Sequence, residues 1–268
     1  MDTLALKLIL TPLLVGAASL AGRRWGPSVS GWFVALPWTS GPIVFFLTLS
    51  HGPAFAAATS AGILLGAFST LIFCLVYAWL AQRWRWAWPA SLAGSYLAFL
   101  AVTAVLSQVT LGWLIQFVFV LLSLGLALRL MPRPAASSPG VAAPLPRWDI
   151  PARMLVGTAF VVLITGAAPA LGPQLTGLLS PFPVFTSTLV IFAHHLRGPE
   201  AAISVLRGLV HGMLAYISFF MVLAALLERA SLVTAFGAAI VVALLLHAGT
   251  FWTLRHATEH PTRRQADA

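Results

Sequence analysis

The sequence predicts an all-α polytopic membrane bundle of about nine transmembrane helices, built as two inverted four-helix repeats plus one linking helix. Three observations predict it: an apolar composition, an internal offset in Gly and Pro, and a one-sided distribution of arginine. Of the 268 residues, 60% are hydrophobic and only 8% charged, where soluble domains carry about a quarter. The long apolar runs are continuous and not alternating, which selects helices over a barrel.

Reading the runs and their breaks in order gives spans at 4–21, 28–50, 54–82, 88–106, 109–130, 151–171, 174–195, 199–227 and 232–254. The first runs straight into Arg23 and Arg24 without a cleavage signal, so it is expected to stay as a spanning helix. Residues 131–149, rich in Pro, Ala and Ser, break the pattern and form the expected linker. The organisation expected is a first repeat at 1–107, a linking helix at 108–131 and a cytoplasmic linker at 132–150. A second repeat at 151–256 and a cytoplasmic tail at 257–268 complete it.

The formal charge of +9 is set by 14 Arg and one Lys against six acids, and on a soluble chain it would suggest nucleic acid. Here it reports topology. Alternate connections collect twelve arginines, among them Arg23, Arg83, Arg133, Arg153, Arg197 and Arg255, whereas the opposite side holds only Lys7 and Arg229. The positive-inside rule then places the N-terminus outside and the C-terminus in the cytoplasm. Cys74, alone of its kind, lies in an apolar run and is expected to pack there, with no disulfide or cysteine metal cluster.

Gly26-Pro27 precedes Gly52-Pro53 as Gly172-Pro173 precedes Gly198-Pro199, at an ungapped offset of 146 residues. The same offset pairs Gly31 with Gly177, Pro37 with Pro183, Gly62 with Gly208, Gly66 with Gly212 and Arg83 with Arg229. The unpaired fifth span separates the copies, so an odd number of crossings inverts the second one. Inverted repeats commonly enclose a site near the midplane.

Within this frame the second span of each repeat is interrupted, over Ala35 to Pro42 (ALPWTSGP) and over Ser180 to Ser187 (SPFPVFTS). Proline removes a donor and frees carbonyls, which the Thr and Ser hydroxyls or a substrate must satisfy. Pro37, Thr39, Ser40, Pro183, Thr186 and Ser187 are therefore candidate substrate-binding residues, with a pair of structural kinks as the alternative. Gly62 and Gly66, with Gly208 and Gly212, are helix-packing residues. The helices bearing them are expected to cross each other at the pseudo-two-fold axis, or else to pack within their own repeats.

Arg207 and His211 share a face of span 199–227, where the first repeat has Ala61 and Leu65. They are candidates for binding a phosphate or carboxylate and for coupling protons. The alternative has Arg207 reaching the headgroups and His211 bonded in the core. His194, His195 and His247 are candidates for a proton path or a basic vestibule, with lipid headgroup contact as the blander reading.

The acids, Asp2, Asp149, Glu200, Glu228, Glu259 and Asp267, all fall in expected loops, helix ends or tails, so no carboxylate is expected at midmembrane. That favours an anionic cargo over cation–proton exchange. No paired carboxylates, Gly-x-Ser-x-Gly or His-Glu-x-x-His suggest an enzyme, and no cofactor or metal is expected. The expected partners are membrane lipids and a small anionic substrate, not nucleic acid.

Two segments, LTGLLSPFPVF from Leu175 and HLRGPEAA from His195, resemble the GlpM-like family of small bacterial inner-membrane proteins over residues 151–255. The resemblance implies an inner-membrane location, a connection with alginate exopolysaccharide production and no catalytic residues; the chain looks like a fused duplicate of the family's four-helix unit. The outline, though not the motifs, is similar to the drug/metabolite transporter superfamily. The function expected is a transporter or flippase for an anionic metabolite or phosphate-bearing lipid; the alternative is a non-transporting subunit accessory to envelope polysaccharide or lipid assembly.

Overall fold

The computed structural model describes residues 3–22, 27–85, 87–134 and 148–266, and every regular element among them is a helix. The chain runs α1 (Thr3–Gly22), α2 (Pro27–Val34), α3 (Ser40–His51), α4 (Pro53–Arg83), α5 (Trp88–Leu106), α6 (Trp113–Leu130), α7 (Asp149–Leu179), α8 (Val184–Arg197), α9 (Pro199–Leu226) and α10 (Leu232–Ala266). Among the described residues, six helices are long and apolar enough to cross a membrane: α4, α5, α6, α7, α9 and the Leu232–Phe251 part of α10. The chain is accordingly a multi-pass membrane helix bundle.

Several expected boundaries change. The span expected at 28–50 is two short helices, α2 and α3, separated by residues 35–39. The span expected at 174–195 is likewise split, into the end of α7 and all of α8. No loop divides 151–171 from the next segment, because α7 passes through Gly172 at φ 71° and resumes at Pro173. Glycine alone tolerates that backbone cheaply. Helix α10 continues to Ala266, through most of the stretch expected as a tail, and Asp149 opens α7 and does not end the linker. Most of that linker, 135–147, lies outside the described residues.

The bundle has a centre and a rim. In their most apolar windows α4 is 67% and α9 61% buried, whereas α5, α6 and α10 are each 22% buried. The rim helices turn Leu97, Leu122 and Leu245 outward. Such side chains would cost free energy in water but none in a hydrocarbon phase. Cys74 is buried inside α4 as a free thiol.

Backbone-to-backbone contact fixes the centre. A Cβ at Gly31 of α2 would overlap the Val205 carbonyl of α9, and one at Gly177 of α7 would overlap that of Thr59 on α4. A Cβ at Gly62 would stand 2.8 Å from the Gln174 carbonyl, and one at Gly66 2.6 Å from that of Leu178. Their offset mates repeat the pattern: Gly208 lies on the Ser28 carbonyl, and a Cβ at Gly212 would stand 2.6 Å from that of Trp32. The glycines of α4 thus bed on the end of α7, and those of α9 on α2. Although α4 and α9 also pack together, these glycines do not face one another.

Gly208→Ala is expected to lower the thermal midpoint of the detergent-solubilised protein, since overpacking of this kind costs about 1–3 kcal/mol or more. Gly237→Ala, where the added methyl meets nothing within 4 Å, is expected to leave it unchanged or raise it.

Candidate functional site

The two helix breaks share three backbone bonds. In the first, the Leu36 amide donates to Phe33 O (3.3 Å), Trp38 to Leu36 O (2.8 Å) and Gly41 to Pro37 O (2.9 Å). In the second, Phe182 donates to Leu179 O (3.0 Å), Val184 to Phe182 O (2.8 Å) and Ser187 to Pro183 O (2.8 Å). These three bonds recur at the 146-residue offset; the Ala35 amide also donates to Trp32 O (3.1 Å), a bond without a counterpart because Pro181 takes that place. Proline withholds a donor at both places, so each segment leaves carbonyls that the helix cannot satisfy.

At the first break the Trp38 indole donates to Phe33 O at 3.0 Å, and at the second, hydroxyls reach two carbonyls from across the bundle. Ser40 Oγ donates to Ser180 O at 3.0 Å, and Thr70 Oγ1 to Pro181 O at 3.0 Å. The Tyr216 hydroxyl in turn donates to Ser40 Oγ at 2.9 Å. Ser187 Oγ turns back to its own Pro183 carbonyl. Where the breaks face each other they leave a cavity of about 60 Å³, lined by Pro37, Thr39, Ser40, Thr70, Pro183, Thr186 and Tyr216 among others. At a share of about 30 Å³ per water, that is room for about two waters.

Five sequence-expected residues, Pro37, Thr39, Ser40, Pro183 and Thr186, therefore come together around one cavity. Ser187 is buried but does not line it. Thr70 and Tyr216 were missed, yet they stand 146 residues apart and the Gly-Pro offset alone pairs them.

Arg207 and His211 lie elsewhere. Arg207 Nη1 donates to Met131 O at 3.1 Å and Pro132 O at 3.3 Å, closing the C-terminal end of α6. His211 Nδ1 is 2.7 Å from Arg207 O, one turn back, so Nδ1 carries the proton. Neither lines the cavity.

The remaining histidines also separate. His194 is buried and its neighbour His195 exposed. His194 Nε2 meets Arg85 O at 2.8 Å and its Nδ1 meets the Tyr77 hydroxyl at 3.0 Å, which fixes the neutral tautomer with the proton on Nε2. Beside it Arg85 pairs with Glu200 at 3.5 Å. These bonds tie the end of α4 to the end of α8 and the start of α9. His247 is buried, stacked on Trp32 with ring centroids 3.6 Å apart.

One charged element was not anticipated. Asp149 and Arg153, both buried, pair at 2.8 Å across one turn of α7. The Arg153 guanidinium lies 5.4 Å from the ring of Phe185, a residue of the cavity wall. The i, i+4 spacing was visible in the sequence, but Asp149 was read as a linker residue and Arg153 only as a topology marker.

Comparison with protein-family models, with curated proteins and with solved structures finds no match.

Two stability predictions follow from these bonds. Ser40→Ala is expected to cost about 1–3 kcal/mol, because it strands the buried Ser180 carbonyl and takes the acceptor from Tyr216. Adding Tyr216→Phe is expected to cost less than it does alone, a coupling that a double-mutant cycle on unfolding measures. Asp149→Asn is expected to destabilise by about 3–5 kcal/mol by leaving the Arg153 charge buried, and Asp149→Leu with Arg153→Met to recover most of the loss in the same assay.

Proposed function

We propose that the chain is a transporter or flippase for an anionic metabolite or a phosphate-bearing lipid, working by alternating access between two inverted repeats. The observation that carries this reading is the hydroxyl-lined cavity between two helix breaks with matching backbone bonds. Discontinuous helices meeting inside a bundle are the usual construction of a transport site. The inverted repeats are supported by glycine contacts and break bonds that recur at the same 146-residue offset.

In this reading the substrate's polar group displaces water from Thr39, Thr186 and Tyr216. The bonds of Tyr77, His194, Arg85 and Glu200 hold one end shut, and their offset counterparts Leu223, Thr48, Ser231 and Ala54 carry no such set of charges. Arg207 would meet an anionic group at the end of its path, beside the α6 terminus, and not in the middle. The N-terminus outside, the C-terminus in the cytoplasm and a bacterial inner membrane belong to the same proposal.

The size of the cavity and the engagement of Ser40 and Thr70 with carbonyls favour a second reading. In it the breaks are sealed kinks of a subunit accessory to envelope polysaccharide or lipid assembly, the setting that the GlpM-like resemblance suggests.

Reconstitution into vesicles separates the two. Thr39→Val with Thr186→Val removes cavity hydroxyls at nearly constant shape, and is expected to cut movement of a fluorescent phospholipid or a labelled organic anion at least about tenfold, the scale of one lost hydrogen bond. The thermal midpoint is expected to hold. Wild-type protein that moves none of a panel of anions and lipids would favour the accessory subunit.

A further inference from the structure

A second, larger cavity of about 430 Å³ adjoins the first. Every residue lining it is apolar or glycine, drawn from α1, α3, α9, α10 and the first break. Leu36, Pro37 and Trp38 form a wall of both cavities. On its open side stand Ile240 and Leu244, exposed side chains of the rim helix α10. A helix surface of this kind faces hydrocarbon when the bundle is in a bilayer.

The dimensions suit one hydrocarbon chain. At the volume of a water-sized unit, about 30 Å³, the cavity holds about fourteen methylene-like groups. Along α10 it extends from Phe236 to Leu244, about 12 Å at 1.5 Å per residue. That approaches the half-thickness of a hydrocarbon core, about 15 Å. A single leaflet's chain fits this length.

A charge marks one end. Lys7, Leu10 and Leu14 are spaced i, i+3 and i+7 on one face of α1, and Leu10 and Leu14 line the cavity. Lys7 Nζ stands 5.6 Å from the ring centre of Phe46, the neighbour of the lining residue Phe45. Lys7 is half-buried and lies one turn beyond Leu10, toward the end of the bundle where α1 and α10 begin and α3 finishes. The opposite end of the cavity is the helix break. An amphiphile with an anionic head and an acyl tail matches this sequence of surfaces, whereas a partner helix would leave Lys7 without a counterpart.

We infer that the groove between α1, α3 and α10 binds one acyl chain of a phosphate-bearing lipid, with the phosphate on Lys7 and the chain end against Pro37 and Trp38. The binding stands by itself. Its role as the lateral loading port of a flippase rests on the transport reading above, and makes a lipid the cargo.

Photolabelling of the full-length protein in phosphatidylcholine vesicles tests it, using phosphatidylglycerol with a photoactivatable group near the chain end. Adducts are expected on α1, α3 or the break. Lys7→Glu is expected to reduce them about tenfold and Lys7→Arg to retain them. Ala243→Trp and, independently, Ile240→Trp fill the groove and are expected to remove them, while Leu245→Trp on the outer face of α10 leaves them intact. Excess inorganic phosphate is expected not to compete, since the chain supplies the affinity. Equal labelling by diacylglycerol, indifference to Lys7→Glu, competition by free phosphate, or chain-to-chain adducts that place a second copy in the groove would each overturn the inference. Lipid movement that survives both groove-filling variants defeats the loading role and spares the transport reading. Adducts without any lipid movement by wild-type protein keep the site and defeat transport.

Discussion

A backbone carbonyl inside a bilayer must find its donor within the protein, because no water is there to supply one. Two helices of this chain break inside the bundle, so the interior is organised around the donors that repair them. Ser40 and Thr70 reach across to Ser180 and Pro181, in the other break. The two halves are therefore stitched by the very groups that the breaks leave exposed. Small polar side chains gather where an uninterrupted helix would have needed none, and the cavity is the space they enclose.

Close approach is the second requirement. A hydroxyl reaches a carbonyl on a neighbouring segment only if the backbones come near, and Gly31, Gly62, Gly177 and Gly208 let α2 lie on α9 and the end of α7 on α4. Helix α2 and the end of α7 thus each have a long central helix as a bed. What can move is constrained accordingly. The seams at the glycines are rigid, while the helices at the rim, with fewer buried side chains, have room to tilt. The apolar groove lies along that looser boundary, and the polar cavity lies behind it.

Much of this was legible in the chain of residues. Apolar length and the positions of Gly and Pro located both breaks and the six long apolar helices, though not the nine spans expected, because these depend on local rules of helix formation. Thr39, Ser40 and Thr186 were legible for the same reason: they sit beside the prolines. Arg207 illustrates what was not. Its place opposite Ala61 of the first repeat suggested a buried binding group, but the end of α6, 76 and 75 residues back along the chain, takes up its guanidinium. Asp149 was only half hidden: its i, i+4 spacing to Arg153 was visible, but the helix start that makes the spacing a pair was read as linker. The apolar groove had no sequence signal at all, being made of ordinary leucines and phenylalanines that only the tertiary packing sets apart.

The joints at Gly52 and Gly198, with φ 86° and 84°, are each a single residue between the end of one helix and the proline that starts the next. A joint that short has no slack in which a length change can be absorbed. One residue added between Gly52 and Gly62 would turn everything after it by about 100° and carry Gly62 and Gly66 off their bed. Related chains should therefore vary freely in length between α6 and α7, while the segments from these joints to the first packing glycine keep their length to the residue, whatever else in them is replaced.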